Sequence, residues 1–383
     1  MIFSERRLTM ELYANYAMKD EKSRGRLNKE IFHDNRGVYE RDRDRIIHCE
    51  AFRKLEYKTQ VFVNHEGDYY RTRLTHTMEV SQIARSMAKR LGLNIELVEA
   101  IALAHDLGHT PFGHTGEKVL NRLMDGAGGF EHNRQSYRIV TYLEERYGGF
   151  KGLNLSYETL EGIIKHSTPY DKPSTKDLED IFDLGIVPTI EGQLIDYADE
   201  IAYLNHDLDD GLESGLLEWE NLGEVQIWEE ALNDAVDGEG AGLSPKVLKY
   251  RTISTLIAFF INDLVESTLE RITVEKVRTP ETVKDKNIRV VGFSPEMDMK
   301  KSRLKEYLFT HLYNHPRVER MRISAEGCIE TLFSLYGRYP NILPERYQKE
   351  MSLSSSRRAI ADYIAGMTDR FALDEFRRLT GVV

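Results

Sequence analysis

An all-α fold is the prediction for this chain, and three observations carry it. Apolar residues recur at helical spacing: in 78–91, "MEVSQIARSMAKRL", Val80, Ile83, Ala84, Met87 and Leu91 line one face. Stop and start residues bracket such stretches, with Gly92 closing this one and Asn94 placed to cap the next. Strand signals are sparse.

Taken in order, the spacing predicts a helix ending at Gly92, and a second opening at Asn94 and ending at Gly108. Further helices are predicted over 131–147 and 157–166, and a long acidic one from Thr189 to Gly215. Three more follow at 226–236, 246–271 and 301–313, then two or three between 317 and 374. Two short β excursions are expected. "TQVF" (59–62) and "DYYRTRL" (68–74) read as a hairpin, and "NIRVVGFS" (287–294) as a further strand. The stretch 273–300, with Pro280 and Pro295, reads as irregular. The resulting partition is an N-terminal arm (1–40), a catalytic helical core (41–215) and a helical C-terminal region packed on it (216–383).

Composition bounds the function. The chain has 383 residues, of which 41% are apolar and 30% charged, as in a folded globular protein. No run approaches the roughly eighteen consecutive apolar residues of a membrane span. The N-terminus lacks the basic-then-apolar layout of a secretory signal. The two cysteines, Cys49 and Cys328, have no metal-like spacing and suit a reducing cytoplasm. The net charge of −11 argues against duplex nucleic acid as the main partner. An anionic substrate would need a local device: a few Arg or Lys, a metal, or both.

"AHDLGHTPFGH" (104–114) crowds three histidines, an aspartate, two glycines and a proline into eleven positions. His105 and Asp106 point about 100° apart on a regular helix, so they reach one ion most easily at a helix end. His76 at the start of one helix and Asp196 or Asp199 on the acidic helix are the further candidates. Two imidazoles with two carboxylates suit Mn, Mg, Fe, Co, Ni or Zn. An isolated His-Asp pair is common by chance; the ordered set is not.

"RLTHTMEV", "ALAHDLGHTPFGHTGE", "FEHNRQS", "DYADEIAYLNHDLDD", "FRKLEYKTQVF" and "DYIAGMTDRFA" together resemble the HD-domain phosphohydrolases. More narrowly they look like the deoxyguanosine triphosphate triphosphohydrolase branch. The resemblance runs from about residue 40 to 215 and returns near the C-terminus; residues 216–350 carry little of it. It implies an HD-domain helical core and a divalent metal on His76, His105, Asp106 and Asp199. Asp199 is preferred over Asp196 because family members carry a tyrosine four residues and an aspartate eight residues beyond the ligand, here Tyr203 and Asp207.

His114 is implied as proton shuttle with Glu117 three residues on; an N-terminal helix carboxylate is the plainer account of Glu117. Arg73, His109 and His132 are implied at the triphosphate, with Arg71, Lys165 and His166 as weaker additions. Gln60, Tyr203 and Asp207 are implied at the deoxyribose. The expected reaction releases inorganic triphosphate from a deoxynucleoside triphosphate. Two alternatives stay open: another HD phosphohydrolase acting on nucleotides or alarmones, and a non-catalytic nucleotide sensor. Relatives are tetramers or hexamers, so a homo-oligomer is expected, with a deoxynucleotide effector among the candidate partners. Single-stranded DNA is a less favoured partner and a membrane is not expected.

Overall fold

The computed structural model describes residues 13–60, 70–167, 181–239, 242–353 and 355–381. Helices dominate. The N-terminal part carries α1 (Val38–Ile47) and α2 (Glu50–Lys54). They lead to α3 (Arg73–Leu91), α4 (Ile95–Ala104) and α5 (Gly113–Leu123). Next come α6 (His132–Arg138), α7 (Tyr157–Ile164) and α8 (Ile190–Glu213). The C-terminal part supplies α9 (Gln226–Glu239), α10 (Pro245–Val274), α11 (Pro280–Lys286) and α12 (Pro295–Leu308). It ends with α13 (Pro316–Arg338), α14 (Glu345–Leu353), α15 (Ser356–Ala365) and α16 (Asp369–Thr380).

α3 begins five residues before its apolar periodicity shows. Thr72 and Thr75 exchange backbone and hydroxyl hydrogen bonds at 3.3 and 3.0 Å, which starts the helix at Arg73. Its first two turns bury Arg73, His76 and Thr77, polar residues that break the apolar pattern. Gly92 closes it at φ 65°, and Asn94 caps α4 through the Leu97 amide at 3.1 Å. α4 ends at Ala104 rather than Gly108, so His105 and Asp106 leave the helix in turns. The stretch 131–147 is helical only to Leu143, its last five residues a π turn.

Among the described residues there is no β-strand, only isolated bridges. One of them, Thr59 with Thr72, lies where the hairpin was expected; its loop, 61–69, lies outside the described residues. The expected strand 287–294 has no partner strand. Its Val290 and Val291 amides donate instead to Gln193 Oε1 at 2.9 and 3.3 Å. The stretch 273–300 is also more regular than expected. Pro280 and Pro295 stand at the first turns of α11 and α12, where a missing N–H costs nothing and the fixed φ is already helical.

The largest core joins α3, α4, α8, α9, α10 and α12, and it runs through residue 215 without a break, since Leu208, Leu217 and Trp228 all belong to it. A second core packs α5 against α13, α15 and α16. A third lies between α1, α2, α7 and the other face of α4. α10 is long and apolar enough to cross a membrane by length and composition. Here its stripe Ile253, Leu256, Phe260 and Leu264 is buried in the first core. α8 is buried on nearly every side although it is acidic. Its carboxylates are matched: Asp209 and Asp210 take Arg71, and Glu200 takes Lys301 and Lys305. The three cores leave a polar seam where α3 begins, α4 ends and α8 passes its midpoint.

Candidate metal centre and active site

His105 enters the seam at the end of α4. Its Nδ1 donates to the Ala102 carbonyl at 2.6 Å, so its Nε2 carries the lone pair. That Nε2 is buried and has no hydrogen-bond partner. Asp106 Oδ1 lies 3.5 Å from it and Asp199 Oδ1 3.9 Å. His76, from the first turns of α3, places Nε2 3.0 Å from Asp199 Oδ1 and 3.7 Å from Asp106 Oδ2. The four residues named from the sequence thus meet at one point. Asp196, three residues before Asp199, faces elsewhere: its Oδ1 accepts from His166 Nδ1 at 2.8 Å and its Oδ2 from Arg289 at 2.7 Å.

Burial raises the carboxyls of Asp106 and Asp199, but their neighbours outweigh it. His109, Arg73 and His105 hold Asp106 well below the usual carboxylate range, and the neighbouring His166 and His76 imidazoles do so for Asp199. Burial opposes charge on the imidazoles of His76, His105, His109 and His166. It wins at His105 and His109, which are lowered; flanking aspartates win at His76 and His166, which are raised.

The donor set fits a divalent cation. Two buried triads, His76/His105/Asp106 and His105/His166/Asp199, each hold their donor atoms within 4.8 Å. Ligands about 2.1 Å from one ion are separated by about 3–4.2 Å, and the distances above lie in that range. Nitrogen and oxygen donors without thiolate match Mn, Fe, Co, Ni, Zn or Mg. Cys49 and Cys328 are buried in other cores.

Arg73 adjoins the triads and is 1% exposed. Its Nη1 donates to Asp106 Oδ2 at 2.9 Å, while Nε and Nη2 have no partner. Two buried, unpaired guanidinium donors beside a cation pocket are a site for an anion. His109 Nδ1 lies 2.9 Å from Asp106 Oδ1, and its ring sits 4.1 Å from His132 and 5.6 Å from His114, centroid to centroid. Glu117 is closer to His132 than to His114. His132 contributes its amide at 2.9 Å and Nδ1 at 3.1 Å, while His114 Nδ1 is 3.7 Å away. Glu117 is accordingly held well below the usual carboxylate range, His132 leading the groups that overcome its burial. The His114 side chain is 56% exposed at the start of α5, so it is open to a ligand where His109 and His132 beside it are buried.

Gln60 Oε1 is buried without a partner, an acceptor for a hydroxyl. Tyr203 and Asp207 continue the α8 stripe beyond Asp199. Asp207 accepts from the Tyr313 hydroxyl and lies 2.7 Å from His206 Nδ1. His206 Nε2 in turn is 3.0 Å from His76 Nδ1. The sequence reading overlooked His206, although "LNHDLDD" contains it. Arg71 is not free for phosphate, because Glu79, Asp209 and Asp210 hold it. Lys165 is likewise held, by Glu161 and the Ile186 carbonyl.

The C-terminal region fixes the loop between His109 and His114. Asp369 accepts from the Thr59 amide at 2.9 Å and the Phe112 amide at 3.0 Å. Phe112 is thereby kept at φ 61°, a left-handed conformation costly for a non-glycine residue. Gly108 is required for packing. A Cβ there would lie 2.1 Å from the His132 carbonyl oxygen and 2.3 Å from the Ser136 amide. Gly108→Ala is expected to destabilise by about 1–3 kcal/mol; an unchanged melting temperature would show that α6 can retreat.

Lys58 is 2% exposed and donates to the carbonyls of His109 and Ala365. Burial lowers its pKa to about 7, with Lys54 and Arg73 adding repulsion. The folded chain therefore binds fewer protons than the unfolded one between about 7 and the ordinary lysine value. This contribution is fully favourable above that value and is lost as pH falls through about 7. Urea unfolding of wild type against Lys58→Met is expected to show the wild type gaining relative stability from pH 7 to 10. A flat difference refutes this.

Two family models and several curated relatives match the chain. The HD domain matches residues 73–204, and a phosphohydrolase-associated domain matches residues 291–378. The chain is 57% identical over 366 residues to a deoxyguanosinetriphosphate triphosphohydrolase-like protein of Geobacter metallireducens, covering 96% of this chain and 94% of that protein. A protein of the same description from Geobacter sulfurreducens is 57% identical over the same shares. One from Wolinella succinogenes is 48% identical, covering 91% of this chain and 98% of that protein.

Proposed function

The chain belongs to the deoxyguanosinetriphosphate triphosphohydrolase-like family of HD-domain phosphohydrolases, and from that membership we propose that it hydrolyses deoxynucleoside triphosphates with a divalent metal. The products are a deoxynucleoside and inorganic triphosphate. One observation carries the reading: Asp106 has the unpaired Nε2 of His105 on one side and the half-unpaired guanidinium of Arg73 on the other. A cation and an anion are received on either side of one carboxylate, as a metal-bound phosphate requires.

When bound, a divalent ion at His76, His105, Asp106 and Asp199 polarises a phosphoryl oxygen and makes water a better nucleophile. Arg73 Nε and Nη2 hold phosphate oxygens, and His109 and His132 line the same side. Gln60 accepts a sugar hydroxyl, with Tyr203 and Asp207 flanking the deoxyribose. Water oxygen bonds to the α-phosphorus as the bond to the 5′-oxygen breaks. His114 gives the leaving 5′-oxygen its proton and is restored by the proton the water releases. Glu117 steadies His114 and His132 together. The expected tetramer or hexamer, the deoxynucleotide effector and the cytoplasmic location belong to the same reading.

Each dNTP and rNTP, offered with Mn or Mg and followed by phosphorus NMR, tests the reaction. Triphosphate released from dNTPs is the expected product. Release of orthophosphate or pyrophosphate identifies a different phosphohydrolase, and binding without turnover identifies a sensor.

A further inference from the structure

We propose that His166 is a fifth protein donor to the cation pocket, its Nε2 ligating beside Asp199 while Asp196 and Arg289 hold the ring from behind. The inference rests on the reading of the pocket as a divalent-metal site and adds a ligand to it. His166 lies just past the end of α7, outside the four ligand positions, and is 2% exposed. Its ring centroid is 5.3 Å from that of His105. Its Nδ1 is 2.8 Å from Asp196 Oδ1, which also accepts the Ser167 amide at 2.9 Å, and Arg289 grips Asp196 Oδ2 at 2.7 Å. A carboxylate on the far nitrogen is how proteins orient ligating imidazoles and raise their basicity. With Nδ1–H donated to Asp196, Nε2 is the nitrogen that faces the pocket, and it ligates on losing its proton to solvent as the cation binds.

What faces that nitrogen is Asp199 Oδ2, at 3.7 Å. This is too long for a hydrogen bond and matches two donors each about 2.1 Å from a shared ion. Asp199 divides its oxygens, Oδ1 towards His76 and His105 and Oδ2 towards His166. Asp106 faces His105 with Oδ1 and His76 with Oδ2, and the same two oxygens lie 2.9 Å from His109 and Arg73. A third imidazole also shifts the preference from Mg towards Mn, Fe, Co, Ni and Zn.

Cobalt(II) titration of the metal-free full-length protein, followed by its visible absorption, tests this. His166→Gly is expected to bind cobalt at least about 10-fold more weakly and with an altered spectrum, both restored by added imidazole. His166→Gln, whose amide keeps an N–H donor but brings no imidazole nitrogen, is expected to show the same loss. It would keep wild-type affinity if His166 were only a hydrogen-bond donor, and that result overturns the proposal. Wild-type affinity and spectrum in His166→Gly overturn it too. Thermal melts without metal exclude misfolding as the cause. His105→Ala separates the premises. If it binds cobalt as well as wild type, the pocket reading itself fails. If it loses binding while the His166 variants do not, only the fifth ligand is wrong.

Discussion

Asp199→Ala is expected to abolish divalent-metal binding and to lower triphosphate release by about 10³-fold or more, the loss of several kcal/mol of charge stabilisation. Asp196→Ala is expected to weaken metal binding by only about 10- to 100-fold, because it acts through the orientation of His166. The physical difference is direction. Asp199 Oδ1 lies 3.0 Å from His76 Nε2, inside the ring of donors, whereas both Asp196 oxygens are engaged outside it by His166, Ser167 and Arg289. Titration with Mn(II), followed by the spin-resonance signal of the free ion, measures both variants. The reverse order would mean that the ligand is Asp196.

Arg73→Lys is expected to lower kcat/KM by about 10²-fold while leaving metal affinity nearly unchanged. Lysine keeps a charge beside Asp106 but loses the planar fork whose Nε and Nη2 are unpaired. That loss is about 2.7 kcal/mol in the transition state. Arg73→Ala is a poorer test, since it leaves Asp106 buried without its cation at a cost of about 3–5 kcal/mol. The effect of Arg73→Lys should shrink as the substrate carries fewer phosphates. An equal loss on a monophosphate ester would remove Arg73 from the triphosphate.

The helices were legible wherever an apolar stripe meets solvent on its far side, as in α3 beyond Val80. They were not legible where polar residues are themselves buried. α3 begins at Arg73 because a Thr72–Thr75 exchange starts it and its first turns face the pocket. α8 is acidic, yet it is an interior helix whose carboxylates are matched by Arg71, Lys301 and Lys305 from distant segments. Periodicity does not report such partners. Nor does it tell an isolated extended segment from a strand: 287–294 finds Gln193 instead of a neighbouring edge.

By itself the sequence determined the helical class, the family resemblance and the short stretches that carry the histidines and aspartates, because helix signals and motif spacings are local. The family resemblance also favoured Asp199 over Asp196, through the tyrosine and aspartate that follow it at the family's spacing. Only the tertiary structure decided which atoms converge. It set Asp196 behind His166, joined His206 to His76, gave Glu117 to His132 more than to His114, and brought Asp369 across to hold the Phe112 amide. Those contacts join residues 15 to 257 positions apart. They depend on how buried polar groups satisfy one another when separate helices close over them, which no single stretch of chain contains.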